Sequence, residues 1–136
     1  MTKVLIFSGI GSVLPNQMDS INPKYIDYIN YRSNKKLNET DHVVTYNVAT
    51  LMTSFEQKTI EDYDYITSHS LGLLPALVAA NAISWEECLD YAMQYDVVFQ
   101  TIPKGKLSNV RDCVPMSMIK NQQIIACYNT PTNITI

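Results

Sequence analysis

A serine stands at the junction between a strand-like apolar segment and a long helix-like segment of this sequence. The junction is SHSLG, residues 68–72, with Ser70 at its centre. A sharp strand-to-helix turn of this kind, usually G-x-S-x-G, holds a serine hydroxyl out from the backbone as a nucleophile. The backbone N–H of Leu71 would then point at the oxyanion formed when Ser70 attacks a carbonyl group. Ser68 replaces the first glycine of the pattern, and the residues alone leave open that Ser70 only caps the following helix.

The predicted elements that position this junction describe an α/β domain. Residues 3–9 (KVLIFSG) predict a strand buried on both faces, and residues 62–68 (DYDYITS) predict a second strand. Between them we expect one helix from Asn22 with Pro23 in its first turn, and another that begins near Asp41 as its cap. This order, followed by a buried helix, is typical of a mainly parallel sheet with flanking helices.

Glycine-containing loops follow both predicted strands. Gly9 and Gly11 come directly after the first strand, and Gly72 follows the second. Because the carboxyl ends of parallel strands meet at one edge of a sheet, we expect residues 8–12 to face Ser70. A nucleotide-phosphate loop is a weaker interpretation of GIGS, because neither G-x-G-x-x-G nor a lysine-bearing P-loop is present.

The later part of the sequence predicts two helices and two short strands. Residues 71–83 are apolar nearly all round and predict a buried helix. Ser84 and Glu87 form a capping-box pattern at the start of the next helix, whose inner face includes Cys88. Residues 122–136 predict two short strands around a turn.

Composition indicates one globular domain, residues 1–136, and excludes several classes of protein. Apolar residues make up 46% of the chain and charged residues 17%. We expect an α/β core over about 1–103 and the start of a small strand-containing subdomain over 104–136. The net charge of −3 argues against nucleic acid as a partner, and the short apolar runs argue against a membrane. Three scattered cysteines predict neither disulfides nor a metal site, so we expect a cytoplasmic protein.

Three segments of the sequence carry a resemblance to one enzyme family. Residues 68–92 are similar to G-H-S-L-G-E-Y-x-A-L and the two helices that follow it. VLIFSGIGS (4–12) is similar to an F-P-G-Q-G-S-Q loop, and residues 124–136 to a strand pair V-x-x-x-N-x-P-x-Q-x-V-I. In this order the segments resemble malonyl-CoA:acyl-carrier-protein transacylases and the acyltransferase domains of polyketide and fatty-acid synthases. The resemblance spans most of this chain and about the first half of a typical member.

The resemblance implies a fold and an activity. The fold is an α/β-hydrolase-like core with a mainly parallel sheet, and the second, ferredoxin-like subdomain is missing or reduced. The activity is transfer of an acyl group from acyl-CoA to an acyl carrier protein through an acyl-Ser70 intermediate. Acyl-CoA would be a substrate, and no permanently bound cofactor is expected. The backbone amides of Ile10 and Leu71 would form the oxyanion hole. Other residues of this turn, which is called the nucleophile elbow, or residues near the substrate would be Gly9, Gly11, Ser68, His69, Gly72 and Tyr95.

The sequence departs from the family motifs at four points. Ile10 replaces a glutamine, Leu73 replaces an acidic residue, and Tyr95 replaces the arginine that holds a malonyl carboxylate. Without that charge-assisted contact we expect no preference for malonyl groups. The family's base is a histidine in a later region than the one matched here. Of the two histidines present, His69 is the elbow histidine, and we expect His42 to be a solvated surface residue.

Three functions therefore stay open at this stage. The first is the acyltransferase, and the second is a non-catalytic module or half of a split enzyme that docks a carrier protein or a second chain. The third is a serine hydrolase in which water replaces the acceptor thiol. They differ in whether an acyl-serine forms and accumulates.

Overall fold

The computed structural model describes residues 1–13, 18–102, 109–110, 127–130 and 133–135. The chain divides into two compact units, Met1–Ile102 and Pro103–Ile136. None of the helices in the described residues combines the length and apolar character that crossing a membrane requires. The elements of the first unit are β1 (Val4–Phe7), α1 (Pro23–Ser33), α2 (Val43–Glu56), β2 (Tyr65–Ser68), α3 (Leu73–Ala79) and α4 (Trp85–Thr101). Within the described part of this unit, 3₁₀ turns occur at Met18–Ser20, Ile60–Asp62 and Ser70–Gly72.

The two strands of the first unit form a parallel pair. Val4 lies opposite Tyr65, and Phe7 lies opposite Ser68. The order strand, two helices, strand, helices confirms the α/β fold class that the sequence predicts. Both strands end at the same edge of the pair, so the loops after β1 and β2 are brought together.

One face of this strand pair is exposed, so the prediction of burial on both faces is wrong. Val4, Ile6 and Tyr65 are exposed among the described residues. On the other face the Phe7 ring meets the Phe55 ring edge-on, with centroids 5.6 Å apart, and α3 packs against both strands. An apolar strand sequence predicts that both faces of the strand are buried by other elements. The described helices pack against one face of the pair only.

The larger core lies between α1, α2 and α4. The predicted inner face of α4 is confirmed by the complete burial of Cys88, Leu89 and Ala92. Burial raises the pKa of the Cys88 thiol to about 12, so this cysteine packs as a small apolar side chain. Other fully or almost fully buried residues of this core are Tyr25, Ile29, Val44, Val48 and Met52.

Two predicted helix starts are confirmed. The Asn22 side chain accepts a hydrogen bond from the Lys24 N–H, and Pro23 is the first residue of α1. At the start of α4, the Glu87 N–H donates to Ser84 Oγ and the Ser84 N–H donates to the Glu87 carboxylate. Both caps are local, and each satisfies N–H groups that a helix terminus leaves without an intrahelical partner.

The predicted Asp41 cap of α2 is wrong. The residue before α2 is His42, and its side chain makes no cap hydrogen bond. The cap comes from Asp96 of α4, which is 4% exposed. Its carboxylate accepts hydrogen bonds from the Val44 N–H at 2.8 Å, the Thr45 N–H at 2.9 Å and the Thr45 hydroxyl at 2.6 Å. A carboxylate at a helix N-terminus is favoured by the helix dipole, so this contact holds α2 against α4.

The described residues of the second unit form short antiparallel strands in the order β3-β5-β4. They are β3 (Asn109–Val110), β4 (Cys127–Thr130) and β5 (Asn133–Thr135). The pairing of Cys127 with Thr135 confirms the strand pair predicted over residues 122–136. The predicted turn between the strands includes residues 131–132, which lie outside the described residues.

Candidate active site

The turn at Ser70 has a backbone conformation that L-amino acids rarely adopt. Ser70 follows β2, begins a 3₁₀ turn that runs into α3, and has a φ of 51°. A positive φ costs a residue with a Cβ about 1–3 kcal/mol, and such strain is concentrated at functional sites. The residue before the 3₁₀ turn is His69, and the residue before α3 is Gly72. Ser70 therefore does not occupy a helix-cap position, which removes the alternative interpretation of this serine.

Gly72 is required because the turn packs directly against the end of β1. A Cβ at Gly72 would lie 2.4 Å from the carbonyl oxygen of Phe7 and 2.5 Å from that of Ser8. The His69 N–H donates to the Phe7 carbonyl at 2.9 Å, and the Gly72 N–H donates to the His69 carbonyl at 3.0 Å. Ser68 ends β2 opposite Phe7, so the turn forms with a serine in the place of the usual first glycine.

The loop after β1 lies against the Ser70 turn, as expected from the parallel arrangement. A Cβ at Gly9 would lie 2.9 Å from His69 Nδ1 and 3.3 Å from Ser70 Cβ. The Ser12 hydroxyl donates to the Gly9 carbonyl at 2.6 Å, which closes the loop into a tight turn. Gly11 has a φ of 85°, a conformation that glycine adopts without steric cost.

Ser70 borders a small apolar cavity, which we call the Ser70 cavity. Its volume is about 270 Å³. Ile10 and Leu71, whose backbone amides are the candidate oxyanion donors, both line it. Tyr95 lines it as well, so the residue that replaces the malonyl-binding arginine shares a cavity with Ser70. The complete lining is Ile10, Val44, Ser70, Leu71, Leu73, Leu74, Tyr95 and Phe99.

Solved structures of similar shape identify the fold. An acyl-carrier-protein S-malonyltransferase from Burkholderia pseudomallei 1710b superposes with a TM-score of 0.71 at 16% identity, covering 99% of this chain and 54% of that chain. A malonyl CoA-acyl carrier protein transacylase from Burkholderia pseudomallei gives 0.67 at 17% identity, with 99% and 55% covered. The Synechocystis sp. PCC 6803 malonyl-CoA:ACP transacylase gives 0.65 at 17% identity, with 99% and 54% covered. The chain has part of the transacylase fold.

The similarity to these solved structures covers only part of their length. The chain spans about half the length of these transacylases. No protein-family model matches the sequence, and no curated protein matches it. The fold predicted from three sequence motifs is therefore confirmed by structure, over a part of the transacylase fold.

No side chain suited to act as a base is among the described residues that line the Ser70 cavity of this transacylase fold. His42 lines a separate cavity of about 330 Å³, together with Asp96 and Gln100. It is 8% exposed, so the prediction of a solvated surface histidine is wrong. The preceding loop folds over it: the Asn38 N–H donates to His42 Nδ1 at 3.4 Å, and the His42 N–H donates to the Asn38 carbonyl at 3.1 Å.

Three residues that line the Ser70 cavity were missed by the sequence analysis. Phe99 could have been found, because it lies four residues after Tyr95 and therefore on the same side of α4. Leu74 and Val44 gave no comparable signal. Val44 reaches the cavity because α2 packs beside the Ser70 turn, a contact between elements far apart in sequence.

Proposed function

We propose that this chain is an acyltransferase of the acyl-CoA to acyl-carrier-protein type, with Ser70 as the acyl acceptor. The observation that carries the proposal is the φ of 51° at Ser70, in a turn between a parallel strand and a helix, at the wall of an apolar cavity. Strain of this kind persists only where the surrounding structure enforces it, as Gly72 and the β1 loop do here. The transacylase fold supports the same chemistry.

The proposed reaction has two balanced halves. Ser70 Oγ attacks the carbonyl carbon of acyl-CoA; a C–O bond forms, the C–S bond breaks, and the hydroxyl proton ends on the released CoA thiol. The phosphopantetheine thiol of a carrier protein then attacks the ester; a C–S bond forms, the C–O bond breaks, and the proton returns to Ser70. The backbone N–H groups of Ile10 and Leu71 would stabilise the oxyanion in both halves.

We expect this chain by itself to acylate slowly. A serine hydroxyl is a weak nucleophile near neutral pH without a base within hydrogen-bond reach. The described lining of the Ser70 cavity supplies none. Catalysis by an oxyanion hole and substrate binding survives removal of a triad base, so a single slow turnover is expected. A second chain that brings a histidine to the cavity would raise the rate.

A non-catalytic binding module is the second candidate function. The lack of a base among the described cavity residues favours it. Such a module would keep the Ser70 turn and dock a carrier protein or partner chain without forming an acyl-serine. A serine hydrolase, the third candidate, would release the free acid without accumulating the acyl-enzyme.

Intact-protein mass spectrometry distinguishes these functions. Wild type, Ser70→Ala and Ser54→Ala would each be incubated with hexanoyl-CoA or acetyl-CoA and then with a carrier protein bearing phosphopantetheine. Ser54 is the matched control, because its hydroxyl donates to the Thr50 carbonyl on α2 and does not line the cavity. We expect wild type and Ser54→Ala, but not Ser70→Ala, to form an acyl adduct. The acyl group should then be transferred to the carrier protein. Free acid without an adduct would indicate the hydrolase, and neither product would indicate the binding module.

A further inference from the structure

The lining of the Ser70 cavity points to the class of acyl group. We infer that the cavity binds an uncharged, straight acyl chain of short to medium length, with Val44 at its inner end and Phe99 at its rim. The inference rests on the proposed acyl transfer at Ser70, and it names the substrate class for that transfer. Three observations support it: the chemistry of the lining, the placement of the cations, and the dimensions of the cavity.

The lining offers apolar surface and almost no polar partner. Apart from the Ser70 hydroxyl, the phenol of Tyr95 is the one polar side-chain group among the described lining residues. Each methylene that an acyl chain buries against such a surface favours binding about fourfold. A carboxylate at the far end of the chain would instead lose its hydration without gaining an opposite charge. The lining therefore favours a hydrocarbon over a dicarboxylic acyl group.

None of the described residues that line this cavity is a lysine or an arginine. Arg32 lines the separate cavity that contains His42. One edge of its guanidinium is paired with Asp90, because Nε and Nη2 donate to the two carboxylate oxygens at 3.1 and 3.0 Å. Lys24 is paired with Glu56. A malonyl group bound at Ser70 would thus meet Tyr95 where an arginine would be needed.

The dimensions of the cavity suit an acyl chain without its carrier. Its volume of about 270 Å³ is less than that of most pockets for drug-sized ligands. Coenzyme A would have to remain outside, with only the acyl chain inserted. The rim is half open: Ile10, Leu73, Tyr95 and Phe99 are 50%, 53%, 51% and 59% exposed. An inserted chain would therefore cover apolar rim surface that is now exposed to water.

The inner end of the cavity is fixed by α2. Val44 is 1% exposed and lines the cavity, so it lies at the closed side. Its N–H is held by the buried Asp96 carboxylate, which anchors the first turn of α2. A rigid side chain at the closed side limits the length of chain that can enter. Val44 is thus the residue expected to set chain length, and Phe99 the residue expected to cover the chain.

Competition between thioesters tests this assignment. Wild type would receive equal concentrations of acetyl-, hexanoyl-, decanoyl- and malonyl-CoA, and the masses of the adducts would be counted before half the protein has reacted. We expect the hexanoyl adduct to exceed both the acetyl and the malonyl adduct at least about tenfold, from the methylenes it buries. Equal amounts, or a malonyl excess, would overturn the inference.

Variants assign the preference to the cavity. Tyr95→Arg should raise the malonyl share at least about tenfold, because it restores a charge-assisted partner. Phe99→Ala should lower the hexanoyl share, and Val44→Ala should move the preference towards decanoyl. Tyr95 and Phe99 are half exposed, so both variants test the inference even where Val44→Ala does not fold. Unchanged adduct ratios in Tyr95→Arg and Phe99→Ala would contradict the assignment.

A binding measurement separates this inference from the proposed function. Sodium hexanoate and sodium malonate would be titrated into wild type while the amide NMR signals of Val44, Leu74 and Phe99 and the methyl signals of Val44 and Leu74 are followed. Shifts with hexanoate alone would support the apolar site even where no acyl-serine forms, in which case only the transfer function fails. No shift with hexanoate, or equal shifts with malonate, would overturn the apolar site even where Ser70 is acylated.

Discussion

At the scale of single residues, the conformation of Ser70 is the feature that ordinary folding rules do not explain. Among the described residues other than glycine, Asn34, Ser70 and Asn81 have a positive φ. The two asparagines lie just after α1 and α3, where a left-handed residue commonly ends a helix, and asparagine tolerates this conformation. Ser70 lies instead at the start of a turn after a strand. A cap of this kind does not explain its conformation, and the proposed role of its hydroxyl as the acyl acceptor would.

Relief of that strain makes a prediction about stability. We expect Ser70→Gly to be more stable than Ser70→Ala by about 1 kcal/mol, because only glycine adopts this φ without steric cost. Both variants should lose acylation. Urea denaturation of the two proteins measures the difference in the free energy of unfolding. Asn34→Gly is the control, and its gain in stability over wild type should be smaller than this difference. Equal stability of the two Ser70 variants would show that the turn stores no strain.

At the scale of helices and strands, the contact between α2 and α4 supports the site. Asp96 on α4 accepts three hydrogen bonds from Val44 and Thr45 at the start of α2. Val44 lines the Ser70 cavity, and so do Tyr95 and Phe99 on either side of Asp96. The buried carboxylate therefore holds together two helices whose side chains both contribute to the cavity lining.

Removal of this cap should be costly. Asp96→Ala leaves two N–H groups and one hydroxyl without their partner, so we expect a loss of about 3 kcal/mol in the free energy of unfolding. Asp41→Ala is the matched control: Asp41 is exposed and its carboxylate accepts a hydrogen bond from Asn38 Nδ2, so the loss of this side chain should stay within about 0.5 kcal/mol. Denaturant unfolding of both variants measures the contrast. Similar losses would show that α2 does not depend on the cap from α4.

The same elements show what the sequence could and could not predict. Asn22 and the Ser84–Glu87 box act within three residues, so their patterns predict the caps directly. The strand order and the approach of Gly9 to Ser70 follow from the geometry of parallel strands. The cap from Asp96 and the burial of His42 arise from packing between distant segments, for which a single sequence gives no local signal. Val44 was missed at the cavity for the same reason.

At the scale of the first unit, two polar clusters join α1 to the neighbouring helices. Glu56 of α2 accepts hydrogen bonds from Lys24, Tyr25 and Asn22, and Asp90 of α4 accepts them from Arg32 and Tyr28. Partial burial of Glu56 opposes ionisation, yet the three donors together lower the pKa of its carboxyl group. The Arg32 guanidinium, against a smaller opposing effect of burial, lowers the pKa of Asp90. Both carboxylates are thus stabilised in the folded state.

These shifts predict a loss of stability in acid. A carboxyl group whose pKa is lower in the folded state stabilises the protein above its unfolded pKa. That contribution disappears as the pH falls through the folded pKa, here below the ordinary values of 4.5 for Glu56 and 3.8 for Asp90. We expect wild type to lose more stability between about pH 6 and about pH 3 than Glu56→Gln/Asp90→Asn does. Denaturant midpoints measured across this pH range for wild type and the double variant test the prediction, with Glu61→Gln as an exposed control. Curves of stability against pH that run parallel for wild type and the double variant would contradict it.

The site at which an acyl group becomes attached decides whether Ser70 is the nucleophile. Wild type and Ser70→Ala would be incubated with hexanoyl-CoA, digested, and mapped by tandem mass spectrometry over the peptide that contains residues 68–72. We predict a hexanoyl ester on Ser70 of wild type and no ester elsewhere in that peptide, with none on the Ser70→Ala peptide. An ester on Ser68, or an equal yield from Ser70→Ala, would contradict the assignment of Ser70 as the nucleophile.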